Sequence, residues 1–389
     1  MDMNALDIAV IGGGIGGLAV ARACALRGAA VTLYEQAAKI AEVGAGLQIS
    51  PNGFVVLEAL GLGHAVRAAG VRAEAVALHD HRGARVLRLD LGRLERRDYW
   101  FLHRADLIDI LHRGAIQAGV RIRLGAKVSE AGPGPFLRLG DEETRPDLVI
   151  AADGLHSVLR AALEGGAAPF FTGQVAWRAV VPGDPGQPAE ARVHMGPRRH
   201  VVSYPLRGGR LTNIVAVEER AEWTPESWSH AGDADELRAR FAGIGGEARA
   251  LLDAVGEVRQ WGLFRHPVAQ VWGRDGAALL GDAAHPTLPF MAQGANLALE
   301  DAWVLAAALG KAPDMAAALE TYQSRRASRA RRVVEAASRN AWKYHLATPP
   351  LRVAAHAALR LGGALAPGRM LRQFDWIYGH DVTAAKAFE

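Results

Sequence analysis

The stretch LDIAVIGGGIGGLAVARACALRGAAVTLYEQ, residues 6–36, decides the fold. Its first six residues, LDIAVI, are apolar and short, as in a buried strand. Gly12, Gly14 and Gly17 then fall in the spacing G-x-G-x-x-G, with Gly16 in the same turn, and residues 15–27 have the texture of a helix. AAVTLYEQ supplies a second strand that ends at Glu35. Strand, helix and strand in so short a span make a βαβ unit, whose right-handed crossover sets the strands parallel. The glycines allow a tight turn and bring backbone close to a pyrophosphate, whose charge sits on the helix N-terminus, while Glu35 accepts from ribose hydroxyls. The pattern predicts a bound dinucleotide and by itself admits NAD or FAD equally.

Around this unit the chain of 389 residues is long enough for two domains. Hydrophobic residues at 50% and charged residues at 22% exclude a disordered chain. Lys and Arg exceed Asp and Glu by only four, and the densest basic run, QSRRASRARR (323–332), is expected to be a solvated helix face. No aromatic platform accompanies it, so no nucleic-acid partner is expected. The single cysteine, Cys24, excludes an internal disulfide and fits a reducing cytoplasm. The apolar N-terminus carries Asp7 and a Gly cluster without a preceding basic region, so it belongs to the fold and no integral membrane span is expected. No metal site is expected.

Further along, SPNGFVVLEALGLGHAVRAAG (50–70) reads as a helix and turn. Residues 74–91 alternate apolar and polar around HRG, which predicts a hairpin outside the parallel sheet. Residues 105–118 return to helical spacing, and VRIRLGAKV (120–128) and PDLVIAADG (146–154) add strands. From 171 to 261 strands separated by Pro and Gly dominate, and 234–255 reads as helical. The expected fold is α/β. A Rossmann-like dinucleotide domain (1–73, 98–170 and 262–345) is interrupted by a mainly antiparallel substrate domain (74–97 and 171–261), and a C-terminal helical segment (346–389) follows.

Two more stretches carry chemistry. VIAADGLHSVLR (149–160) places Asp153 and Gly154 at a turn after a buried strand. GDAAHPTLPFMAQGAN (281–296) delivers Asp282 to a loop and leaves the N–H groups of Gly294, Ala295 and Asn296 unpaired at a helix start, which favours negative charge. His285 and His103 are expected to be structural, and Trp177 and Arg178 to pack or pair between domains.

In this order and spacing the three stretches resemble the class A flavoprotein monooxygenases, closest to the salicylate hydroxylase and 6-hydroxynicotinate 3-monooxygenase group. GAGLQISPN (44–52), HRADL (103–107), GQVAWRA (173–179), RHVVSYPL (199–206) and DWIYGHD (375–381) extend the resemblance over the whole chain. It implies FAD in the first fold. Glu35 and Gln36 would hold the adenosine ribose side, Arg104 the middle of the cofactor, and the Val128 backbone the adenine. Asp153 is associated with both cofactors, Asp282 would meet the ribityl or pyrophosphate region, and Gly294, Ala295 and Asn296 the pyrimidine edge of the flavin.

The resemblance further implies transient binding of NADH or NADPH, then reaction with O2 to a C4a-hydroperoxyflavin and hydroxylation of a small phenolic aromatic. Pro289 would border the oxygen chemistry. Gln48, His200, Tyr204 and Phe290 would line the substrate pocket, with His200 or Tyr204 near the phenol; their i, i+4 spacing on a strand puts both on one face. Gln48 and Phe290 stand where 6-hydroxynicotinate enzymes carry His, and Gln48 can hydrogen-bond but not act as a base. A larger aromatic substrate and a non-catalytic FAD or NAD(H) sensor stay open, as do monomer and homodimer. The C-terminal run 349–374 is expected to pack on its own domain.

Overall fold

The computed structural model describes residues 1–40, 45–166, 168–221 and 230–384. Gly44, at the head of GAGLQISPN, the stretch 222–229 and the last five residues lie outside them. The opening stretch folds as a strand Asp7–Ile11, a helix Ile15–Ala25 and a strand Ala30–Tyr34, paired in parallel with Ile8 opposite Val31. These strands sit in a six-stranded sheet whose other members are Arg121–Arg123, Leu148–Ala151, Ala277–Leu279 and the short Gly273–Arg274. Only the last pairs antiparallel. Ile8, Val10, Val149 and Ile150 are wholly buried, as a parallel sheet covered on both faces requires. Burying each such side chain contributes about 1.5–3 kcal/mol.

The second layer is an eight-stranded sheet in the order Ala231–Gly232, Val258–Arg265, Phe170–Pro182, Leu211–Glu219, Arg199–Leu206, Glu190–Gly196, Ala75–Asp80 and Arg85–Asp90. It is antiparallel except where Glu190–Gly196 meets Ala75–Asp80. Those two strands are joined through the dinucleotide-binding layer, and so long a connection permits the parallel pairing a tight hairpin cannot make. The predicted hairpin around HRG is present as Ala75–Asp80 and Arg85–Asp90.

Alternation along the strands gives this sheet two unlike faces. Trp177, Ala179, Val201, Ile214 and Ala216 point to one, under the helices Ala234–Arg240 and Gly246–Asp253. The helical stretch expected over 234–255 is present as these two helices, the second starting at Gly246 with φ +62°. Ala176, Val217, Trp261 and Leu263 point to the other face, against Leu288 and Phe290 of the GDAAHP loop. A three-stranded sheet (Glu130–Gly132, Phe136–Leu139 and Glu142–Thr144) was not foreseen; its strands are too short to show a period.

The basic run lies on the 30-residue helix Met315–Tyr344 and departs from expectation. Arg325, Arg331 and Arg332 are exposed, but Arg326 is 1% exposed and Arg329 is half-buried. Both point at acidic residues of the neighbouring helix Gly294–Lys311, a partner no local pattern could reveal. The C-terminal helix Pro349–Leu365 packs on the Arg85–Asp90 strand, where Gly363 meets Leu87, and leaves Val353, Leu361 and Leu365 exposed. No helix among the described residues is long and apolar enough to cross a membrane, and none of their His, Cys, Asp and Glu side chains cluster as a metal site.

Candidate cofactor and substrate site

At the first helix start the backbone sets the geometry. Gly12 has φ +102°, and a Cβ there would lie 2.5 Å from the Ala152 carbonyl oxygen. A Cβ on Gly17 would collide with the Gly12 carbonyl, and one on Gly16 would press to 2.6 Å from Leu280, closing off the approach of the helix Gly294–Lys311. A Cβ on Gly14 would meet nothing, so this glycine borders open space. The helix it begins has no side-chain cap, leaving its first N–H groups for an anion.

Glu35 accepts from the Gly13 N–H at 2.6 Å and the Ala37 N–H at 2.8 Å, so it braces the glycine turn. A carboxylate offers about four lone-pair sites, so ribose hydroxyls can still be accepted. Gln36 is exposed beside it, and the chain leading to the buried Val128 is tied in by Ala126 N–H to the Glu35 carbonyl at 2.8 Å.

The second motif abuts the first. Ala152 and Asp153 lie against Gly12, and Asp153 Oδ2 accepts from the Val158 N–H at 3.0 Å while Oδ1 is buried without a partner. Burial raises the pKa of this carboxyl. Arg160, from the same stretch, donates to the carbonyls of Ala283 and Ala284 at 3.1 and 3.3 Å and so joins the second motif to the third. Asp282 is exposed on that loop, close enough to Arg104 to feel its charge. His103 caps the helix Arg104–Gln117 through Nδ1, the structural role expected of it.

The second helix start rests on buried polar side chains. His285 Nε2 meets Asp301 Oδ2 at 2.5 Å, and the Gly281 N–H donates to the same oxygen. Arg326 donates to Asp301 Oδ1 at 2.7 Å and to Glu300 Oε2 at 2.6 Å. Arg329 also grips Glu300 and reaches the carbonyls of Trp376 and Ile377. Asn52 joins through Glu300 and Gln293, and Ser50 through Gln293. Asn296 spends its whole side chain on backbone, accepting from Ser50 N–H and donating to the carbonyls of Gln48 and Ala292. Its amide group therefore fixes the strand Gly46–Ile49 to the helix, and only main chain at 294–296 is left for a ligand.

Pro289–Met291 forms a single helical turn, Ala292 takes φ +52°, and a Cβ on Gly294 would meet nothing. This helix start too lacks a side-chain cap. Two uncapped helix ends, glycines open at Gly14 and Gly294, and the orphaned Asp153 Oδ1 together fit an extended dinucleotide with an anionic reduced ring.

Beside it stands the inner face of the eight-stranded sheet. His200 shares a row with Val217 and Ala176, Val202 with Val215 and Arg178, and Tyr204 with Asn213 and Val180. His200 packs 5.4 Å from the Phe290 ring, and Tyr204 5.1 Å from Phe101. Gly46 N–H donates to Asn213 Oδ1 at 2.6 Å, and a Cβ on Gly46 would press on Tyr204. Gln48 Oε1 accepts from the Tyr99 hydroxyl at 2.8 Å. Burial pushes the Tyr204 hydroxyl well above its ordinary range, partly offset by Arg178. Arg178, given no catalytic part from sequence, lies on this face 4.3 Å over the Trp261 ring.

Residues 5–337 match the family described as FAD binding domain. A 3-amino-4-hydroxybenzoate 2-monooxygenase of Streptomyces platensis is 36% identical, covering 97% of each chain. A 3-hydroxybenzoate 6-hydroxylase of Polaromonas naphthalenivorans is 35% identical over 97% of this chain and 96% of its own. Klebsiella pneumoniae HpxO, solved with FAD and uric acid, superposes with a TM-score of 0.82 at 28% identity, covering 95% of this chain and 97% of its own. The chain belongs to the class A FAD-dependent monooxygenases, and within them to the relatives of salicylate hydroxylase and 6-hydroxynicotinate 3-monooxygenase. It is an FAD-binding enzyme of that family.

Proposed function

We propose that this monooxygenase hydroxylates a small phenolic acid, drawing electrons from NADH or NADPH and oxygen from O2. The observation that carries the reading is the inner sheet face, where His200, Tyr204 and the Arg178 cation stand beside the loop bearing Pro289 and Phe290. A cation and hydrogen-bonding groups on an aromatic wall suit a ring bearing a carboxylate and a hydroxyl. The relatives named for hydroxybenzoates support the same class.

Bound FAD supplies hydride acceptance and oxygen activation. In this reading Gly12, Gly14, Gly16 and Gly17 cradle its phosphates, Glu35, Gln36 and Val128 its adenosine, and Arg104, Asp153 and Asp282 its middle. The N–H groups at Gly294, Ala295 and Asn296 stabilise negative charge on the reduced ring. Pro289 and Phe290 keep water from the reacting atoms, and Gln48 Nε2, left over from the bond to Tyr99, donates to substrate. His200 takes the phenolic proton, since a phenolate is the better nucleophile. Burial first, and then His345, hold the His200 pKa well below its ordinary value, so its imidazole is neutral and carries a lone pair. The reading makes the protein a cytoplasmic monomer or homodimer.

Purified protein tested with phenolic acids of graded size decides the matter. Stimulated NADH or NADPH oxidation with matching hydroxylated product is the expected result. Oxidation that yields hydrogen peroxide alone with every small phenol, but product with a larger aromatic, overturns the substrate class.

A further inference from the structure

Behind His200 lies a chain of titratable groups that the reading above does not use. His200 Nδ1 is 2.7 Å from His345 Nε2, and His345 Nδ1 is 3.1 Å from Glu219 Oε1. His200 and His345 are 2% and 3% exposed, whereas the Glu219 side chain is 40% exposed. Glu219 lines a surface cavity of about 530 Å³ together with Arg198, Gln174 and Trp342. The three residues come from three elements: His200 from the strand Arg199–Leu206, Glu219 from the end of Leu211–Glu219, and His345 from the C-cap of the long helix. They form a single line from the substrate face of the sheet to solvent.

The hydrogen bonds dictate where the protons sit. A carboxylate only accepts, so His345 Nδ1 carries hydrogen toward Glu219. Neutral His345 then has its lone pair on Nε2, which must accept from His200 Nδ1–H. That leaves the lone pair of neutral His200 on Nε2, and no described residue hydrogen-bonds that atom. An exposed carboxylate two residues removed thus fixes the tautomer in which His200 can act as a base.

We propose that Glu219, His345 and His200 form a proton relay that carries the phenolic proton of the substrate from the buried pocket to solvent. The inference rests on the reading that His200 faces the substrate. In the first step the phenol O–H breaks and an N–H forms at His200 Nε2, while His200 Nδ1–H breaks and an N–H forms at His345 Nε2. The products are a phenolate in the pocket and an imidazolium at His345 paired with Glu219. In the second step His345 Nδ1–H passes to Glu219 and on to water. After hydroxylation a proton taken from water through Glu219 to His345 Nδ1 drives the transfers in reverse, so that His200 Nε2–H passes to the oxygen of the product and both tautomers are restored.

Of the two rings, His345 is the one with a carboxylate beside it to support a cation. His200 is surrounded by Phe290, Tyr344 and His345, with no carboxylate, so a cation there is costly. Burial holds Tyr344 near 12, as a neutral phenol. Burial lowers the His345 pKa too, but there Glu219 works against it by favouring the cation, while Arg199 opposes the cation. Arg198 donates its N–H to the His345 carbonyl, and its guanidinium is 3.8 Å from Glu219. His345 and Glu219 are positioning and proton-carrying residues that do not touch substrate.

Two measurements test the relay on the FAD-loaded enzyme. In the resting state, ring-nitrogen NMR of histidine-labelled protein is expected to show hydrogen on Nδ1 of both His200 and His345. Glu219→Gln is expected to scramble that order; an Nε2–H tautomer at His200 in the wild type overturns the relay without any substrate. With 3-hydroxybenzoate or 3-amino-4-hydroxybenzoate as probe, stopped-flow dye recording follows proton release on binding. His345→Gln keeps an acceptor for His200 and a donor for Glu219 but cannot pass a proton. It is expected to slow release and hydroxylation at least tenfold near neutral pH, with KM and flavin content within twofold and the deficit shrinking as pH rises. Wild-type rates in His345→Gln overturn the relay, as does a deficit equal at all pH values. Wild-type rates in His200→Gln, or no turnover of either phenol by the unmodified enzyme, instead remove the site reading beneath it and the relay with it.

Discussion

Two helix starts, at Gly14 and at Gly294, both lack a side-chain cap and are held by opposite means. The first is steric and local: Gly12 leans on Ala152, Gly17 on the Gly12 carbonyl, and Glu35 returns from the next strand to brace the turn. The second is polar and long-range, a buried web through Ser50, Asn52, His285, Gln293, Asn296, Glu300, Asp301, Arg326 and Arg329. A phosphate needs close backbone and positive partial charge, which glycine supplies alone. A ring that changes charge and must exclude water needs a rigid dipole, which a densely hydrogen-bonded polar network can hold.

The sharpest way to break the comparison is at the steric end. Gly17→Val drives a branched side chain into the Gly12 carbonyl, and we expect almost no flavin to be retained. The ratio of flavin to protein absorbance measures this, and a fully yellow variant would end the steric account. At the polar end, Arg326→Met leaves Glu300 and Asp301 without their shared buried cation. Breaking such a pair costs about 3–5 kcal/mol, to be read from urea unfolding of the holoenzyme. A change below about 1 kcal/mol would mean the web does not support the fold.

Acid probes the same web. Burial would raise the Glu300 carboxyl, but Arg326 and Arg329 hold it down at about 2 against an ordinary 4.5. A depressed folded pKa gives stability that is complete above about pH 4.5 and is lost as pH falls toward about 2. Asp301, lowered by His285 and Arg326 against its own burial, acts in the same sense. The urea midpoint of Glu300→Gln should therefore fall less steeply between about pH 5 and about pH 3 than that of the wild type; equal slopes would reject the linkage.

Between the two ends, Asp282→Ala should weaken FAD binding about tenfold, the loss of one hydrogen bond to a charged group. Isothermal titration of the apoprotein checks it, and unchanged affinity removes Asp282 from the cofactor's middle. The smallest effect belongs to Arg113→Ala. Its partner Asp109 is one turn away at 2.6 Å and both are exposed, so stability should change by no more than about 0.5 kcal/mol. A larger loss would blur the contrast between surface pairs and the buried web.

The same division governed what could be read from the chain. The βαβ unit, the hairpin around HRG and the alternating strands are short-range patterns, and the family motifs carry FAD with them. Arg326 escaped because its i, i+3 and i, i+4 neighbours are ordinary; its partners lie on another helix. The backbone N–H of Asn296 is legible at a helix start, whereas the bonds of its side chain to Ser50 and Gln48 join segments far apart in the chain. His345 gave no signal, being 145 residues from His200 along the chain. Arg178 is visible in GQVAWRA, but only the row it shares with Val215 and Val202 puts it on the same face as His200 and Tyr204.

The grip of Arg329 on the carbonyls of Trp376 and Ile377 also sets an order of assembly on the ribosome. The close contacts of Gly12 and Gly17 in the glycine turn reach no further along the chain than Asp153. The web under Gly294 is complete only when residue 377 has emerged, on the order of tens of seconds later at about 5–20 residues per second. A nascent chain that captures FAD would thus hold it by the adenylate end alone for most of its synthesis, with the ring still unclaimed.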